Sequence, residues 1–287
     1  MFGIIAEKSM QEMSDRANIN YYDYNGKPVI IFESHRTSLR VLKHAIDCGY
    51  VTSPVNMLIF DKHDDFCDPI CGLEKLQNLL AKSIDERILS DFVEWDLSRN
   101  NDDWIKTGMH LGYIADVLLI GTEKNHNVTK LSTCESEGVF TDISGRSHHI
   151  YTADHIWNGL DYQGWISDGA RRRELEPLWQ IIGWNPRQKN FFPERNFVLD
   201  IDLDCFSSSS WDQTLSMRTD VFNYLFTKRV GYSNMSAKDW MIKCIDKAKY
   251  ISIATESVHC GGIYEMMNTF YNLDKALFDK AIGKHFL

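Results

Sequence analysis

Short, almost uninterrupted apolar runs that end abruptly in charged residues are the feature that most restricts the fold of this chain. The clearest is the run 55–60, Val-Asn-Met-Leu-Ile-Phe, which is followed at once by Asp61-Lys62-His63-Asp64-Asp65. A strand that is apolar along its whole length is covered on both faces, which is typical of parallel sheets in α/β proteins. The charged group beyond it either lies in a solvated loop or is paired or bound to a cation, because burying a lone carboxylate costs several kcal/mol.

Similar runs recur along the chain and alternate with segments of helical spacing. They predict strands at 29–33, 55–60, 115–120, 147–152, 196–202 and 250–254. The intervening patterns predict helices at 38–49, 73–84, 104–112, 174–182, 214–227 and 236–247, the last capped by Ser236, and a terminal amphipathic helix. Strands separated by helices predict an α/β fold, a three-layer α/β/α sandwich with a mostly parallel central sheet, in a single domain over residues 1–287.

Three other segments have weaker signals. Asn25-Gly26-Lys27-Pro28 predicts a turn before the first strand. The charged stretch 85–103 fits a helix followed by a loop. The four serines at 207–210 predict a flexible link, and Arg171-Arg172-Arg173 is typical of a solvated helix face, with an acidic docking patch as the second interpretation.

Composition excludes several classes of protein. The chain has 287 residues and a formal net charge of −9, the opposite of what a nucleic-acid-binding protein normally shows. Its seven cysteines are scattered and odd in number, which suits reduced thiols. The apolar stretch at the N-terminus is too short for a signal peptide, because charged residues begin at Glu7. No apolar run reaches the length of a membrane span. We therefore expect a soluble, cytoplasmic protein with no membrane or nucleic-acid partner.

Polar residues follow four of the predicted strands at the point where each strand ends. Ligands of parallel α/β sheets bind at this carboxyl edge. Within the run that follows residue 60, alternate side chains of an extended chain project to the same side. The residues expected at the edge are His35, Asp61, His63, Asp65, Asp200, Asp202 and Glu256.

Four Asp and two His exceed what one ion needs from the protein, so the set fits two ions better. Carboxylates with some imidazole favour Mn²⁺ or a similar cation over structural zinc. Asp61 and Asp200 are the most plausible bridging ligands, and they would hold the ions about 3.5–4 Å apart, as in two-metal hydrolases. Glu256 is then free to bind a cationic guanidinium through a bidentate pair.

These motifs resemble those of the ureohydrolases, which include arginase and agmatinase. The resemblance is carried by Ser34-His35-Arg36-Thr37-Ser38-Leu39, Asp61-Lys62-His63-Asp64-Asp65 and Leu199-Asp200-Ile201-Asp202, in that order. It implies an arginase/deacetylase-like fold and two Mn²⁺ ions. It also implies the ligands His35, Asp61, His63, Asp65, Asp200 and Asp202, with Asp65 counted among the catalytic residues as well, and it places Glu256 on the guanidinium.

The departures from that family pattern are informative. Arginases carry Gly-Gly-Asp before the first His, where this chain has Phe32-Glu33-Ser34, and a head-group-reading Ser-Gly-Asn-x-His-Gly segment where it has Phe66-Cys67-Asp68-Pro69. Leu203-Asp204-Cys205-Phe206 replaces Gly-Leu-Asp-Pro. This set is similar to the peptide arginases, which convert arginine residues of ribosomally made precursor peptides to ornithine and urea. The implied partner is an arginine-containing precursor peptide.

Other residues have weaker assignments. His110 is the predicted residue for proton transfer to the leaving amine, with a packed or surface helix histidine as the alternative. His148-His149 resembles the paired histidines of deacetylases, but its place in the chain favours a strand or loop. Asp204 and His259 are either supports that orient ligands or ordinary polar residues.

Two other functions stay open. One is a different amide or amidine hydrolase on the same scaffold, such as a deacetylase or agmatinase, and the other is a non-catalytic metal-binding protein. Bound metal separates the first of these from a peptide arginase, since two equivalents of manganese support the arginase and one zinc the deacetylase. The oligomeric state is not determined by the sequence.

Overall fold

The structure is a computed structural model that describes residues 19–63, 65–122, 139–154, 197–210, 213–227 and 236–283. The described strands are β1 (Asn20–Tyr24), β2 (Lys27–Phe32), β3 (Val55–Phe60), β4 (Ile114–Thr122), β5 (Val139–Thr141), β6 (Ser147–Asp154), β7 (Phe197–Asp202), β8 (Ser207–Ser210), β9 (Gln213–Ser216) and β10 (Ile251–Ala254). The described α-helices are α1 (Ser38–Asp47), α2 (Leu73–Leu80), α3 (Glu86–Trp95), α4 (Trp104–His110), α5 (Thr219–Phe226), α6 (Ala237–Lys247) and α7 (Ile263–Leu277). Short 3-10 turns cover His35–Thr37 and Leu203–Phe206.

Eight of these strands form one sheet in the order β1-β2-β10-β7-β3-β4-β6-β5. The six central strands are parallel, and only the two outer strands, β1 and β5, run antiparallel to their neighbours. The strands β2, β10, β7 and β3 are therefore neighbours in space although they come from distant parts of the chain. Their carboxyl ends meet at one edge of the sheet, which brings the segments that follow them together.

Alternate residues of the central strands face two separate apolar cores. On one face, Leu58, Phe60 and Ile201 pack with residues of α5, α6 and α7. On the other face, Met57, Ile59 and Val198 pack with residues of α1 to α4. The chain therefore forms an α/β fold in three layers with a mostly parallel central sheet, as the alternation of apolar runs and helices predicts.

Several predicted elements are confirmed with small shifts at their ends. The strand predicted at 55–60 has those bounds, and Ser236 caps α6 by accepting a hydrogen bond from the backbone N–H of Asp239. The helix predicted at 38–49 ends at Asp47, shortly before Gly49, whose φ of +72° suits the left-handed turn that closes many helices. The uncertain stretch 85–103 contains α3, whose N-cap Asp85 accepts a hydrogen bond from Ile88 N–H.

Three local predictions differ from the structure. The four serines predicted as a flexible link form β8, which pairs antiparallel with β9. The helix predicted over 214–227 is shorter, because its first residues belong to β9. A strand that the sequence analysis does not predict, β1, pairs with β2 across the predicted turn at Asn25-Gly26, where both residues have positive φ. In each case pairing between two strands that are adjacent in the chain decides the outcome.

Within the described part of the chain, no helix has both the length and the apolar character needed to cross a membrane. The predicted helix at 174–182 and Arg171-Arg172-Arg173 lie outside the described residues. The single domain over 1–287 stays a prediction.

Candidate metal centre

Polar side chains from the ends of four neighbouring strands converge at the carboxyl edge of the sheet. β2 leads to His35, β3 to Asp61, β7 carries Asp200 and Asp202, and β10 leads to Glu256. The register explains their proximity, since Ala254 of β10 pairs with Phe32 of β2 on one side and with Asp202 of β7 on the other. The edge predicted from sequence is therefore a single cluster.

The imidazole of His35 lies at the centre of this cluster and is fully buried. Its Nδ1 atom is 2.9 Å from Asp65 Oδ2, 3.2 Å from Asp202 Oδ2 and 3.3 Å from Asp61 Oδ2. Neither His35 Nδ1 nor Asp61 Oδ2 makes a hydrogen bond of acceptable geometry with the described residues. Buried polar atoms that converge without hydrogen bonds are costly unless a cation satisfies them.

Asp200 lies on the other side of the His35 ring. Its Oδ1 atom is 3.0 Å from His35 Nε2, while its Oδ2 atom accepts hydrogen bonds from Ser38 Oγ at 2.7 Å and Ser252 Oγ at 2.9 Å. Both oxygens of this predicted metal ligand therefore already have protein partners. A carboxylate that holds the far nitrogen of a histidine orients the ring, which is a common arrangement behind metal-binding histidines.

Asp204 belongs to the cluster, although the sequence analysis treats it only as a support or an ordinary polar residue. It is fully buried, and its Oδ2 atom is 2.8 Å from Nδ1 of the half-exposed His63. His63 Nδ1 is also 3.9 Å from Asp61 Oδ1. The spacing Asp200-x-Asp202-x-Asp204 is the signal that could have identified it, because the third carboxylate continues the same alternation.

Asp204 is held in place by the backbone around it. Its own N–H donates to Asp202 Oδ1 at 3.0 Å, and Lys62 N–H donates to Asp204 Oδ1 at 3.3 Å. The 3-10 turn Leu203–Phe206 begins directly after β7 and uses Asp202 as its N-cap. The turn thus fixes the relative positions of two neighbouring carboxylates.

Trp104, at the start of α4, contacts two members of the cluster. Its indole Nε1–H donates to Asp65 Oδ2 at 2.8 Å, and its ring lies against the His35 ring with centroids 4.8 Å apart. Trp104 is not predicted from the sequence as a site residue, because an indole is not a metal ligand and its position at a helix start gives no signal for such a role.

Glu256 lies beside His35 and Asp202 in the cluster and is 6% exposed. Its Oε1 atom accepts hydrogen bonds from the backbone N–H of His35 at 2.9 Å and from Asn101 Nδ2. Its Oε2 atom is 3.8 Å from His259 Nε2. Asn101, from the segment between α3 and α4, is a second residue that the sequence analysis does not assign to the site.

Burial shifts the ionisation of several members of the cluster. Burial raises the pKa of Asp61 and of Asp202 well above the usual range. The carboxylate of Asp204 raises both further, joined by Asp65 for Asp61 and by Glu256 for Asp202. Burial also raises the pKa of Glu256. Positive charge among these carboxylates would therefore favour their ionised forms.

Neighbouring carboxylates raise the pKa of both imidazoles in the cluster. A hydrogen bond with Asp204 raises the pKa of His63 to about 9, while burial acts in the other direction. Burial by itself lowers the pKa of His35, but the charge of Asp200 and the contacts with Asp200, Asp202 and Asp61 together outweigh burial and raise that pKa well above its usual value. Burial raises the pKa of Asp204, but the contact with His63, the hydrogen bond from Lys62 N–H and the nearby His35 together hold it below its usual value.

Three groups of side chains have the spacing needed to hold a cation, with ligand atoms within 4.8 Å of one another. They are His35-Asp61-Asp65, His35-Asp202-Glu256 and Asp61-His63-Asp204. Asp61 belongs to two of these groups, as a bridging ligand would, whereas Asp200 belongs to none. The described cluster holds six buried carboxylates with two imidazoles, namely Asp61, Asp65, Asp200, Asp202, Asp204 and Glu256 with His35 and His63. A carboxylate-rich donor set with this surplus of negative charge fits divalent cations such as Mn²⁺.

His110 lies in different surroundings. It is the last residue of α4, six residues after Trp104, which places it about 9 Å further along the helix axis. Its Nδ1 accepts a hydrogen bond from Ile143 N–H at 3.0 Å, and its ring contacts Phe140. These contacts join α4 to the β5–β6 hairpin, so the geometry does not support the predicted role of His110 in proton transfer.

His148 and His149 both lie in β6, as the strand interpretation predicts. His148 Nε2 is 3.1 Å from Asp142 Oδ2, and its Nδ1 is 2.7 Å from the Ala115 carbonyl. Asp142 also accepts hydrogen bonds from the Ser144 and Arg146 N–H groups of the β5–β6 turn. This histidine therefore stabilises the edge hairpin.

No protein-family model matches the sequence, and no curated protein matches it. Among solved structures, the arginase of Helicobacter pylori matches with a TM-score of 0.41 and 10% identity over 96% of this chain and 78% of its own. A cold-adapted arginase of the psychrophilic yeast Glaciozyma antarctica matches with a TM-score of 0.40 and 11% identity over 99% of this chain and 78% of its own. Scores at this level do not show a shared activity.

Proposed function

We propose that this protein is a hydrolase that uses two Mn²⁺ ions to convert arginine residues within a peptide to ornithine, releasing urea. The observation that carries the proposal is the convergence of His35 Nδ1 on three buried carboxylates beside a second group that shares Asp61. The order of the motifs along the chain adds to it. The donor set suits cations of this type, as the charge surplus and the buried atoms without hydrogen bonds indicate.

The ligand set we propose differs from the sequence prediction at one position. Asp204 takes the place of Asp200, because Asp204 lies in a candidate cation group together with Asp61 and His63, whereas Asp200 lies in none of these groups and contacts His35 on its Nε2 side, away from Nδ1. The proposed ligands are His35, Asp61, His63, Asp65, Asp202 and Asp204. Divalent cations bound there would supply Lewis-acid chemistry, which makes water nucleophilic near neutral pH and stabilises developing negative charge.

In the proposed reaction, a water oxygen bonds to the guanidinium carbon and the bond from that carbon to the side-chain nitrogen breaks. The leaving nitrogen takes up a proton and becomes the amine of ornithine. Glu256 would hold the guanidinium through Oε2, because its Oε1 already accepts hydrogen bonds from His35 N–H and Asn101. The sequence-based expectation of a bidentate pair therefore becomes a contact through one oxygen.

His259 replaces His110 as the proposed residue for proton transfer. Its side chain is 42% exposed and its Nε2 lies 3.8 Å from Glu256 Oε2, so it contacts both solvent and the proposed guanidinium site. A histidine in this position can pass a proton between water and a leaving amine. His63 packs against the His259 ring, with centroids 5.3 Å apart, and keeps it near the cluster.

The segment that follows Asp65 supports a peptide substrate over a free amino acid. Phe66 is fully buried and packs against Phe140, and Asp68 forms an ion pair with Lys106 at 2.6 Å. These contacts attach the segment to α4 and β5. The segment therefore lacks the Ser, Asn and His that read an amino-acid head group in arginases, as expected where the substrate has no free head group.

The test is incubation of the purified protein with Mn²⁺ and an arginine-containing peptide, followed by mass spectrometry of the peptide and an assay for urea. We expect ornithine in the peptide and urea in equal amounts, with free arginine as a poor substrate. A peptide with lysine in place of arginine is the matched control. Efficient cleavage of free arginine would contradict the peptide assignment, and deacetylation of an acetyl-lysine peptide would favour the deacetylase alternative.

Substitutions separate ligands from supports. Asp204→Asn should lose one of the two equivalents of Mn²⁺. Asp200→Asn should keep both, with affinity about 10–100-fold weaker, because it acts on the metal only through His35. Titration calorimetry with elemental analysis measures both quantities. Loss of an equivalent in Asp200→Asn and not in Asp204→Asn would restore the original ligand assignment.

A further inference from the structure

Glu33 lies between β2 and His35, and its carboxylate binds the segment that follows β10. Its Oε2 atom accepts a hydrogen bond from Thr255 Oγ1 at 2.5 Å. Its Oε1 atom accepts from Ser257 N–H at 2.9 Å and from Ser257 Oγ at 2.5 Å. One side chain therefore holds the residues on both sides of Glu256.

Glu256 needs such support because its backbone is in an unfavourable conformation. Its φ is +34°, in the left-handed region that non-glycine residues rarely adopt. A residue in this region keeps its conformation only where the surrounding contacts fix it, and such residues concentrate at functional sites. The Glu33 carboxylate contacts the side chain of the residue before Glu256, and both the backbone N–H and the hydroxyl of the residue after it.

The backbone of Glu33 adds to the same connection. Glu256 N–H donates to the Glu33 carbonyl at 3.0 Å, and Thr255 N–H donates to the Phe32 carbonyl at 2.9 Å. These bonds extend the parallel pairing of β2 and β10 beyond the last paired residues, Phe32 and Ala254. In the other direction, the Glu256 carboxylate accepts the His35 N–H at 2.9 Å. The two segments are thus joined reciprocally.

We infer that Glu33 is a positioning residue that fixes the left-handed turn at Glu256 and thereby determines where the Glu256 carboxylate lies. Both Glu33 oxygens are used by donors of Thr255 and Ser257, so its effect on the site passes through Glu256. That Glu33 positions the Glu256 carboxylate does not depend on the activity of the protein. Its effect on catalysis rests on the proposed function, in which Glu256 binds the guanidinium.

The His35 backbone amide distinguishes this role from a purely local one. Glu33 makes no side-chain contact with that amide among the hydrogen bonds of the described residues, whereas the Glu256 carboxylate accepts from it. If Glu33 only stabilises its own contacts, removing its carboxylate exposes the Ser257 amide and leaves the His35 amide protected. If Glu33 positions Glu256, both amides lose protection.

The experiment is amide hydrogen exchange measured by NMR on the full chain, without added metal, for the unmodified protein and three variants. In Glu33→Ala we expect exchange of the His35 amide to be at least tenfold faster. In Glu33→Gln we expect a change below threefold, because the amide oxygen can accept from Ser257 and the amide nitrogen can donate to Thr255 Oγ1. Glu74→Ala, which removes an exposed glutamate from the first turn of α2, is the charge-matched control and should not change it.

A slow His35 amide in Glu33→Ala, together with a fast Ser257 amide, would overturn the inference. Ser257→Ala, which deletes one hydroxyl, tests the same connection more gently should Glu33→Ala not fold. We expect exchange of the His35 amide to be about threefold faster in that variant, and an unchanged rate counts against the inference.

Peptide turnover provides a second readout. Glu33→Ala should raise KM for the arginine-containing peptide about tenfold while changing kcat less, since the guanidinium contact forms in substrate and transition state alike. Glu33→Gln should restore KM. If the unmodified protein turns over no peptide, the proposed function fails, and hydrogen exchange still decides the structural claim. A fall in kcat alone would contradict the assigned role.

Discussion

Trp104 shows how a single residue without any metal-binding group can determine the geometry of the candidate metal centre. It is fully buried, donates its indole N–H to Asp65 Oδ2, and packs its ring against His35. Asp65 also has a positive φ, of +42°, so its backbone is held in a conformation that it does not favour. The indole hydrogen bond is one of the contacts that stabilise this arrangement.

Trp104→Phe should weaken Mn²⁺ binding about tenfold and lower the free energy of unfolding of the metal-free protein by about 1–3 kcal/mol, because it leaves a cavity and removes a buried hydrogen bond. The phenyl ring keeps much of the packing, while the lost hydrogen bond frees the Asp65 carboxylate to move. Titration calorimetry and thermal unfolding measure the two effects. Trp95→Phe, at a Trp that is 72% exposed, is the control and should change neither. Unchanged Mn²⁺ affinity in Trp104→Phe would show that the indole only fills space.

The turn between β10 and α7 is connected to the β8–β9 hairpin at the scale of secondary-structure elements. Ser216 of β9 donates from its N–H at 2.7 Å and from its hydroxyl at 2.6 Å to Glu265 Oε2. Gly261 lies so close to the hairpin that a Cβ atom there would be 1.9 Å from the Thr214 carbonyl oxygen. A displacement of the hairpin would therefore also displace the segment that carries Glu256.

Gly261→Ala should lower the free energy of unfolding by about 2–4 kcal/mol, because its Cβ collides with backbone that cannot yield cheaply. Gly262→Ala is a close control. Gly262 has a similar positive φ of +106°, but nothing lies within 4 Å of its Cβ position, so only the backbone strain of about 1–2 kcal/mol remains. Denaturant unfolding measures both. Equal losses of unfolding free energy at the two glycines would show that the hairpin shifts to accommodate the Cβ atom without loss of stability.

The whole molecule is organised around a surplus of buried negative charge. The sheet brings six buried carboxylates to one edge, and helices on both faces exclude water from the cores beside them. Two imidazoles offset only part of that charge. Any cation that the folded chain binds and the unfolded chain does not will add its binding free energy to stability.

Mn²⁺ should therefore raise the free energy of unfolding by about 2.7 kcal/mol at a concentration one hundred times the dissociation constant. Removal of the metal with a chelator should return the unfolding midpoint to its lower value. Asp202→Asn combined with Asp204→Asn should abolish most of the shift. Thermal unfolding with Mg²⁺ as the comparison cation measures the effect. The same shift in the double variant would place the bound metal elsewhere.

The local pattern of the sequence determined the layers, most strands and the edge at which the polar residues meet. Apolar runs such as 55–60 require cover on both faces, and parallel strands present their carboxyl ends together, so His35, Asp61 and Glu256 follow from pattern alone. Local pairing was not determined in this way. The serines of β8 form a strand because β9 lies beside them, which composition does not encode.

Only the tertiary structure decided which side chain has which role within the cluster. Asp200, Asp202 and Asp204 have the same spacing and the same chemistry, but Asp200 meets His35 Nε2 and two hydroxyls while Asp204 meets His63. His110 looked well placed in the sequence, yet it lies at the far end of α4. The physical reason is that apolar periodicity specifies which residues are buried, whereas the partner of each buried polar atom depends on strand register and helix direction among segments far apart in the chain.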